Sequence, residues 1–185
     1  MLDPILRRDI QQAERLELEA YPDTNGYWTV GWGHKLPTGG HGENPTWRGY
    51  TITQDQADAI LHDDILDAWN HAQKLPEWAA LDTRARTNAL VELVFNMGCS
   101  KWQTFIKARA AIRHQNWKCV YDELKDSIWY NQVHAARADR LRGYFLTGSY
   151  PPSVAGSLLY VSSSSAWPHG FVPAATSLED TGSQP

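Results

Sequence analysis

One short stretch of two-residue alternation, residues 16–32, sits in a chain whose other apolar positions recur at helical spacing. That single switch of period limits the fold to the α+β class. Leu16, Leu18 and Ala20 alternate with Arg15, Glu17 and Glu19, so those three apolar residues predict one face of a half-buried strand. Asp23 to Gly26 supplies turn chemistry ending in Asn25-Gly26, and Tyr27 to Trp32 alternates again, which predicts a small β-hairpin. Ahead of it, Asp3 and Pro4 read as a helix N-cap and first helical position. Leu6, Ile10 and Ala13 then share one face of a helix over about 4–14.

Behind the hairpin, residues 35–50 are rich in Gly, Pro, Thr and Asn and read as loop or irregular sheet edge. Thr53 and Gln56 then fit a capping box that opens a long helix from Thr53 to Lys74, with apolar residues at 57, 60, 61, 65 and 68. Pro76 stops it. Further helical patterns run over about 82–97, 102–114, 117–124 and 134–146. The order predicts two lobes joined by the long helix. A small sheet lobe covers about 15–60, and a mainly helical lobe covers about 75–150 together with the N-terminal helix. At Pro151-Pro152 the composition shifts. Residues 151–185 hold five Pro and eight Ser, with Glu179 and Asp180 as the only formal charges, and read as an extended or flexible tail.

Composition narrows the function. The net charge of −4, with acids and bases interspersed, lacks the basic stripe that nucleic acid requires. The N-terminus has no long apolar run and carries Arg7 and Arg8 inside its helix, so neither a signal peptide nor stable membrane insertion is expected. Cys99 and Cys119 read as small buried hydrophobes, suited to folding in a reducing cytoplasm. His62 and His71 lack metal-ligand spacing, no HExxH or CxxC occurs, and Gly39-Gly40 has no strand-to-helix context, so no metal or cofactor is expected. Nine Trp and eight Tyr exceed the needs of a core this size, and aromatics can line a groove and stack on sugar faces.

Glu14 closes the first helix, Asp23 sits in the hairpin turn, and Thr29 lies on the returning strand. Glycoside hydrolysis needs two carboxyl groups flanking one bond, one protonated and one ionised, and a helix end facing a turn can hold such a pair. By spacing alone, two solvated surface acids and a β-branched strand residue are the better readings. The surrounding text is more specific. Glu14, eight residues, Asp23, five residues, Thr29, with YPDTNGYWTVGWGH ending in Gly31, Gly33 and His34, forms one block. It continues in order through TQDQADAILHDDI, LVFNMG at 93–98, Phe105, Trp117 and WYNQ at 129–132. Over about residues 3–150 the chain thereby resembles the phage-type lysozymes (endolysins), glycoside hydrolase family 24.

The resemblance implies a two-lobed lysozyme-like fold over 1–150 and a monomeric muramidase. Such an enzyme cuts the β-1,4 bond between N-acetylmuramic acid and N-acetylglucosamine in peptidoglycan. It implies Glu14 as general acid, with Asp23 and Thr29 holding the attacking water in an inverting reaction, for which carboxyl groups are about 6.5–9.5 Å apart. Substrate contacts would come from Gly33, Leu36, Trp129, Asn131 and Gln132. Arg137, or Arg140 across one extra residue, would pair with Glu14, and burial would have to offset the arginine for Glu14 to stay protonated. His34 and Asp64 would form a structural pair between sheet and long helix. Ala13 stands where the family often has an acid, so a local ion pair is lost. The resemblance also implies accumulation in the host cytoplasm and release to the wall at lysis. Two other readings stay open: a lytic transglycosylase, which needs one Glu and no water-holding pair, and a catalytically silent wall-binding protein.

Overall fold

A computed structural model of the protein describes residues 2–37 and 47–151. Residues 38–46, read above as loop, and the Pro/Ser-rich tail beyond Pro151 lie outside the described residues. The chain opens with α1 (Pro4–Ala13), where the Asp3 side chain accepts from the Ile5 amide and Pro4 occupies the first turn. A three-stranded antiparallel sheet follows in the order β1 (Glu17–Pro22), β2 (Trp28–Gly31) and β3 (His34–Lys35). The long α2 (Gln54–Gln73) starts from the capping box that Thr53 and Gln56 predict, with both reciprocal hydrogen bonds made. After a 3-10 turn at Pro76–Ala80 come α3 (Arg84–Met97), α4 (Cys99–Gln103), α5 (Ile106–Arg113), α6 (Trp117–Lys125), α7 (Ile128–Gln132) and α8 (Ala135–Thr147). The fold is α+β, with a small sheet beside a helical bundle. Among the described residues no helix is long and apolar enough to cross a membrane.

Two hydrophobic cores share α2. Ala20, Trp28, Val30, Leu36, Ile52 and Ala57 form the smaller one under the sheet. The larger core gathers Leu6 and Ile10 of α1, Leu61 and Ile65 of α2, and the buried faces of α3, α5, α6 and α8. Trp32 packs against both. Its indole donates to Asp58 Oδ1 at 2.8 Å, and Gln11 Nε2 of α1 donates to the same oxygen at 3.1 Å, so helix, strand and long helix meet at one carboxylate. Gly31 lets the sheet approach α2. A Cβ there would lie 3.3 Å from the Ala57 Cβ, on a backbone with φ +69°.

Three local expectations are corrected. Leu18 is 38% exposed rather than inward-facing. The β1–β2 register is irregular between Glu17 and Tyr21, and the free edge of β1 pairs at Glu19 with Thr51, which turns that residue pair outward. The pattern over 102–114 is broken into α4 and α5, because the Thr104 hydroxyl donates back to the Lys101 carbonyl and Phe105 stacks on Trp102. Cys99 and Cys119 are free thiols and only half-buried, each in the first turn of a short helix at the rim of the larger core.

A buried ion cluster underlies the helical bundle. The fully buried Glu77 accepts from Trp102 Nε1 at 2.7 Å and from Arg109 Nε at 2.8 Å, with Arg113 at 3.9 Å. Paired and hydrogen-bonded in this way, the carboxylate avoids the penalty of an unpartnered buried charge.

Candidate active site

Glu14 is the first residue past α1, where the helix ends and its side chain is free to turn away from the helix axis. Its Oε1 accepts from a terminal nitrogen of Arg137 at 2.5 Å. Arg137, on α8, is 5% exposed and donates through Nε to Glu92 Oε1 at 3.0 Å. Arg140 does not reach Glu14; its terminal nitrogen meets Glu92 Oε1 at 2.6 Å. Of the two arginines that the sequence offers, Arg137 is the one in contact with Glu14.

A groove of about 510 Å³ runs past Glu14 and is lined by Trp32, Gly33, His34, Phe95 and Asn96, among others. Gly33 has φ +90°, and a Cβ there would sit 3.5 Å from Glu14 Oε2, so glycine keeps this oxygen open toward the groove. Oε1 is occupied by the guanidinium, which leaves Oε2 as the oxygen turned to the groove.

Asp23 is fixed by its own turn. Its Oδ1 accepts from the Asn25 and Tyr27 amides, both at 2.8 Å, while Lys35 Nζ stands 4.0 Å from Oδ2. Thr29 is 4% exposed in the middle strand and lies opposite Tyr21 and Lys35. Its hydroxyl donates to the Tyr27 carbonyl at 3.1 Å, which leaves the oxygen's lone pairs free to accept. Tyr21 senses both acids. Its phenol is pushed up first by burial and then by the Glu17, Glu14 and Asp23 carboxylates.

His34 and Asp64 meet as expected, with Nδ1 at 2.9 Å from Oδ2. The hydrogen bond to Asp64 raises the imidazole above its ordinary value, against an opposing effect of burial. The pair's contribution to stability is therefore complete below about 6.5 and is lost as pH rises through the raised folded value. Asp64→Asn is expected to lower the melting temperature at about pH 5.5 and to change it little at about pH 9. Equal losses at both would refute the pair as its source.

The other expected substrate contacts divide. Gly33 lies on the groove. Leu36, 8% exposed, belongs to the smaller core, and Trp129, 2% exposed, belongs to the larger one, so their side chains pack inside instead of facing the groove. Trp129 still reaches the groove indirectly, since its indole donates to Asn96 Oδ1 at 2.8 Å. Asn131 and Gln132 are exposed at the end of α7, and Gln132 accepts from Lys101 at 3.0 Å beside a second groove between α5 and α7. Glu92 and Asn96 were not singled out from sequence. A lone glutamate inside the apolar run LVELVF was the available signal for the first.

Comparison with known proteins now bears on this geometry. The family model described as Phage lysozyme matches residues 11–143. The pre-baseplate central spike protein Gp5 of Enterobacteria phage T4 is 31% identical over 163 residues, 78% of this chain and 27% of that protein. The peptidoglycan hydrolase gp36 of Pseudomonas phage phiKMV is 29% identical over 127 residues, 69% of this chain and 14% of that protein. A probable T4-type lysozyme 2 of Dictyostelium discoideum is 27% identical over 163 residues, 78% of this chain and 95% of that protein. The chain thus spans about a quarter and a seventh of the two phage relatives' lengths.

Proposed function

The chain belongs to the phage lysozyme family, and from that premise we propose that it is a muramidase. It hydrolyses the β-1,4 bond between N-acetylmuramic acid and N-acetylglucosamine in bacterial peptidoglycan, with inversion at the cleaved carbon. The observation that carries this reading is Glu14, clamped through Oε1 by Arg137 while Oε2 faces a groove kept open by Gly33.

The proton on Glu14 Oε2 passes to the glycosidic oxygen as the bond from that oxygen to the sugar C1 breaks. A water adds to C1 from the opposite face. Asp23 Oδ2 takes the water's proton, and the Thr29 oxygen accepts the water's second hydrogen. Thr29 cannot readily act as a nucleophile in place of the water, because its hydroxyl has no adjacent general base and its proton is committed to the Tyr27 carbonyl. Trp32 and Phe95 offer aromatic edges for sugar packing along the groove, and Asn96 an amide for the acetamido groups.

All of these groups come from one chain, which supports action as a monomer. On this reading residues 1–150 are the catalytic unit, working at the cell wall once lysis has admitted the protein from the host cytoplasm.

Digestion of purified sacculi in water enriched in oxygen-18 tests the proposal. Expected are fragments with reducing muramic acid ends, one heavy oxygen at C1, and the α-anomer formed first. Anhydro ends without label would establish a transglycosylase instead. Binding without release of fragments would establish a silent wall-binding protein.

A further inference from the structure

Behind Glu14 lies a buried row of alternating charges that the hydrolytic steps above do not use. Glu92, on α3, is 1% exposed, and its Oε1 accepts from both Arg137 and Arg140. Arg140 Nε stands 3.7 Å from Asp9 Oδ2, which also accepts from the Tyr144 hydroxyl at 2.7 Å. Arg8 reaches the other Asp9 oxygen at 3.1 Å. The row therefore runs Glu14, Arg137, Glu92, Arg140, Asp9, Arg8, from the groove through to α1.

A neutral acceptor at 92 would be enough to orient Arg137 through its Nε. A carboxylate does more, because it also offsets the guanidinium's charge. Burying one is costly: desolvation holds the Glu92 carboxyl above its ordinary value, and the two arginines offset part of that rise. One terminal nitrogen of Arg137 is buried with no hydrogen-bond partner among the described residues, so its charge is divided between Glu14 and Glu92 alone.

We propose that Glu92 is a positioning residue of the catalytic acid: it fixes Arg137 against Glu14 and offsets the charge that the guanidinium presents there. The proposal rests on Glu14 being the acid. Without Glu92, the full positive charge of Arg137 falls on Glu14 and favours its ionised, inactive form. Other titratable groups line the same groove, His34 and Lys35 from β3 and Asp64, Asp67 and His71 from α2, and Tyr21 of β1 lies near enough to Glu14 to feel its charge. Glu92→Gln changes none of them, so a shift reads the lost charge.

The test is the pH profile of peptidoglycan hydrolysis for the full chain and for Glu92→Gln, which keeps an acceptor for Arg137 and removes the charge. The alkaline midpoint of activity should fall by about one pH unit, with KM and the acid-side plateau retained. A merely structural role would lower the rate at every pH and leave the midpoint in place; that result overturns the proposal.

Should Glu92→Gln fold poorly, Glu92→Gln/Arg140→Gln removes one cation with the anion and carries a smaller downward shift, because Glu92 touches Arg137 directly while Arg140 acts from the far side of Glu92. Arg140→Gln alone should move the midpoint upward. Glu14→Gln separates the two levels. If it stays active, the reading of Glu14 as acid fails. If it is dead while the Glu92 variants keep the wild-type midpoint, only the present inference fails.

Discussion

Glu14→Gln should reduce the rate of lysis of chloroform-treated Gram-negative cells by about a thousandfold, within the range general acids contribute, while leaving the fold intact. Glutamine has the shape of glutamate and still offers Arg137 an acceptor at the Oε1 position, where the contact is 2.5 Å. It has no proton to give to a departing sugar oxygen. Arg137 keeps its second anchor at Glu92, so the substitution does not strand a buried cation. The near-ultraviolet circular dichroism and melting temperature should therefore match the parent, and turbidity clearance should not. Clearance at a rate near the parent's would remove Glu14 from the reaction.

Arg109→Met should cost about 3–5 kcal/mol, the usual price of breaking a buried pair on one side only. Glu77 has no exposure, and Arg109 supplies its closest guanidinium, through Nε at 2.8 Å. Arg113, at 3.9 Å and partly exposed, is too distant to replace it. In a chain of this size the loss corresponds to a fall of about 10 °C in melting temperature. The double substitution Arg109→Met/Glu77→Leu should recover most of it, since the unpaired charge leaves with its partner. A single variant as stable as the parent would mean that Trp102 alone satisfies the carboxylate. Activity per folded molecule should be unchanged, because the cluster lies away from the Glu14 groove.

The parts of the fold that were legible in the sequence are those specified locally. Asp3 with Pro4, Thr53 with Gln56, and Asn25 with Gly26 each encode an end or a turn within a few residues, and each holds in the structure. Packing across the chain was not legible in this way. The family resemblance puts Leu36 and Trp129 in the site segments, but a linear pattern does not say which wall a side chain faces, and both turn into the cores. Leu18 follows the alternation and is exposed, because a register irregularity is a property of two strands and not of one.

Arg137 could be narrowed to two candidates from the family pattern. Choosing between them required the helix phase of α8, which brings Arg137 to Glu14 and Arg140 to Asp9 and Glu92. Glu92 sits in the apolar run Val91, Leu93, Val94, where helical spacing predicts burial. Its partners lie 45 and 48 residues downstream, beyond the reach of any local rule.

The contact between Glu14 and Arg137 joins residues 123 positions apart, and Asp9 meets Tyr144 across 135. Closing a loop of that length carries an entropy cost that must be met before the contact repays it. A chain still emerging from the ribosome has Glu14 exposed long before α8 exists to clamp it. An incomplete chain therefore carries Glu14 without its arginine, and the clamp forms only once α8 docks. A truncation that removes α8 should accordingly be inert, even with Glu14, Asp23 and Thr29 all present.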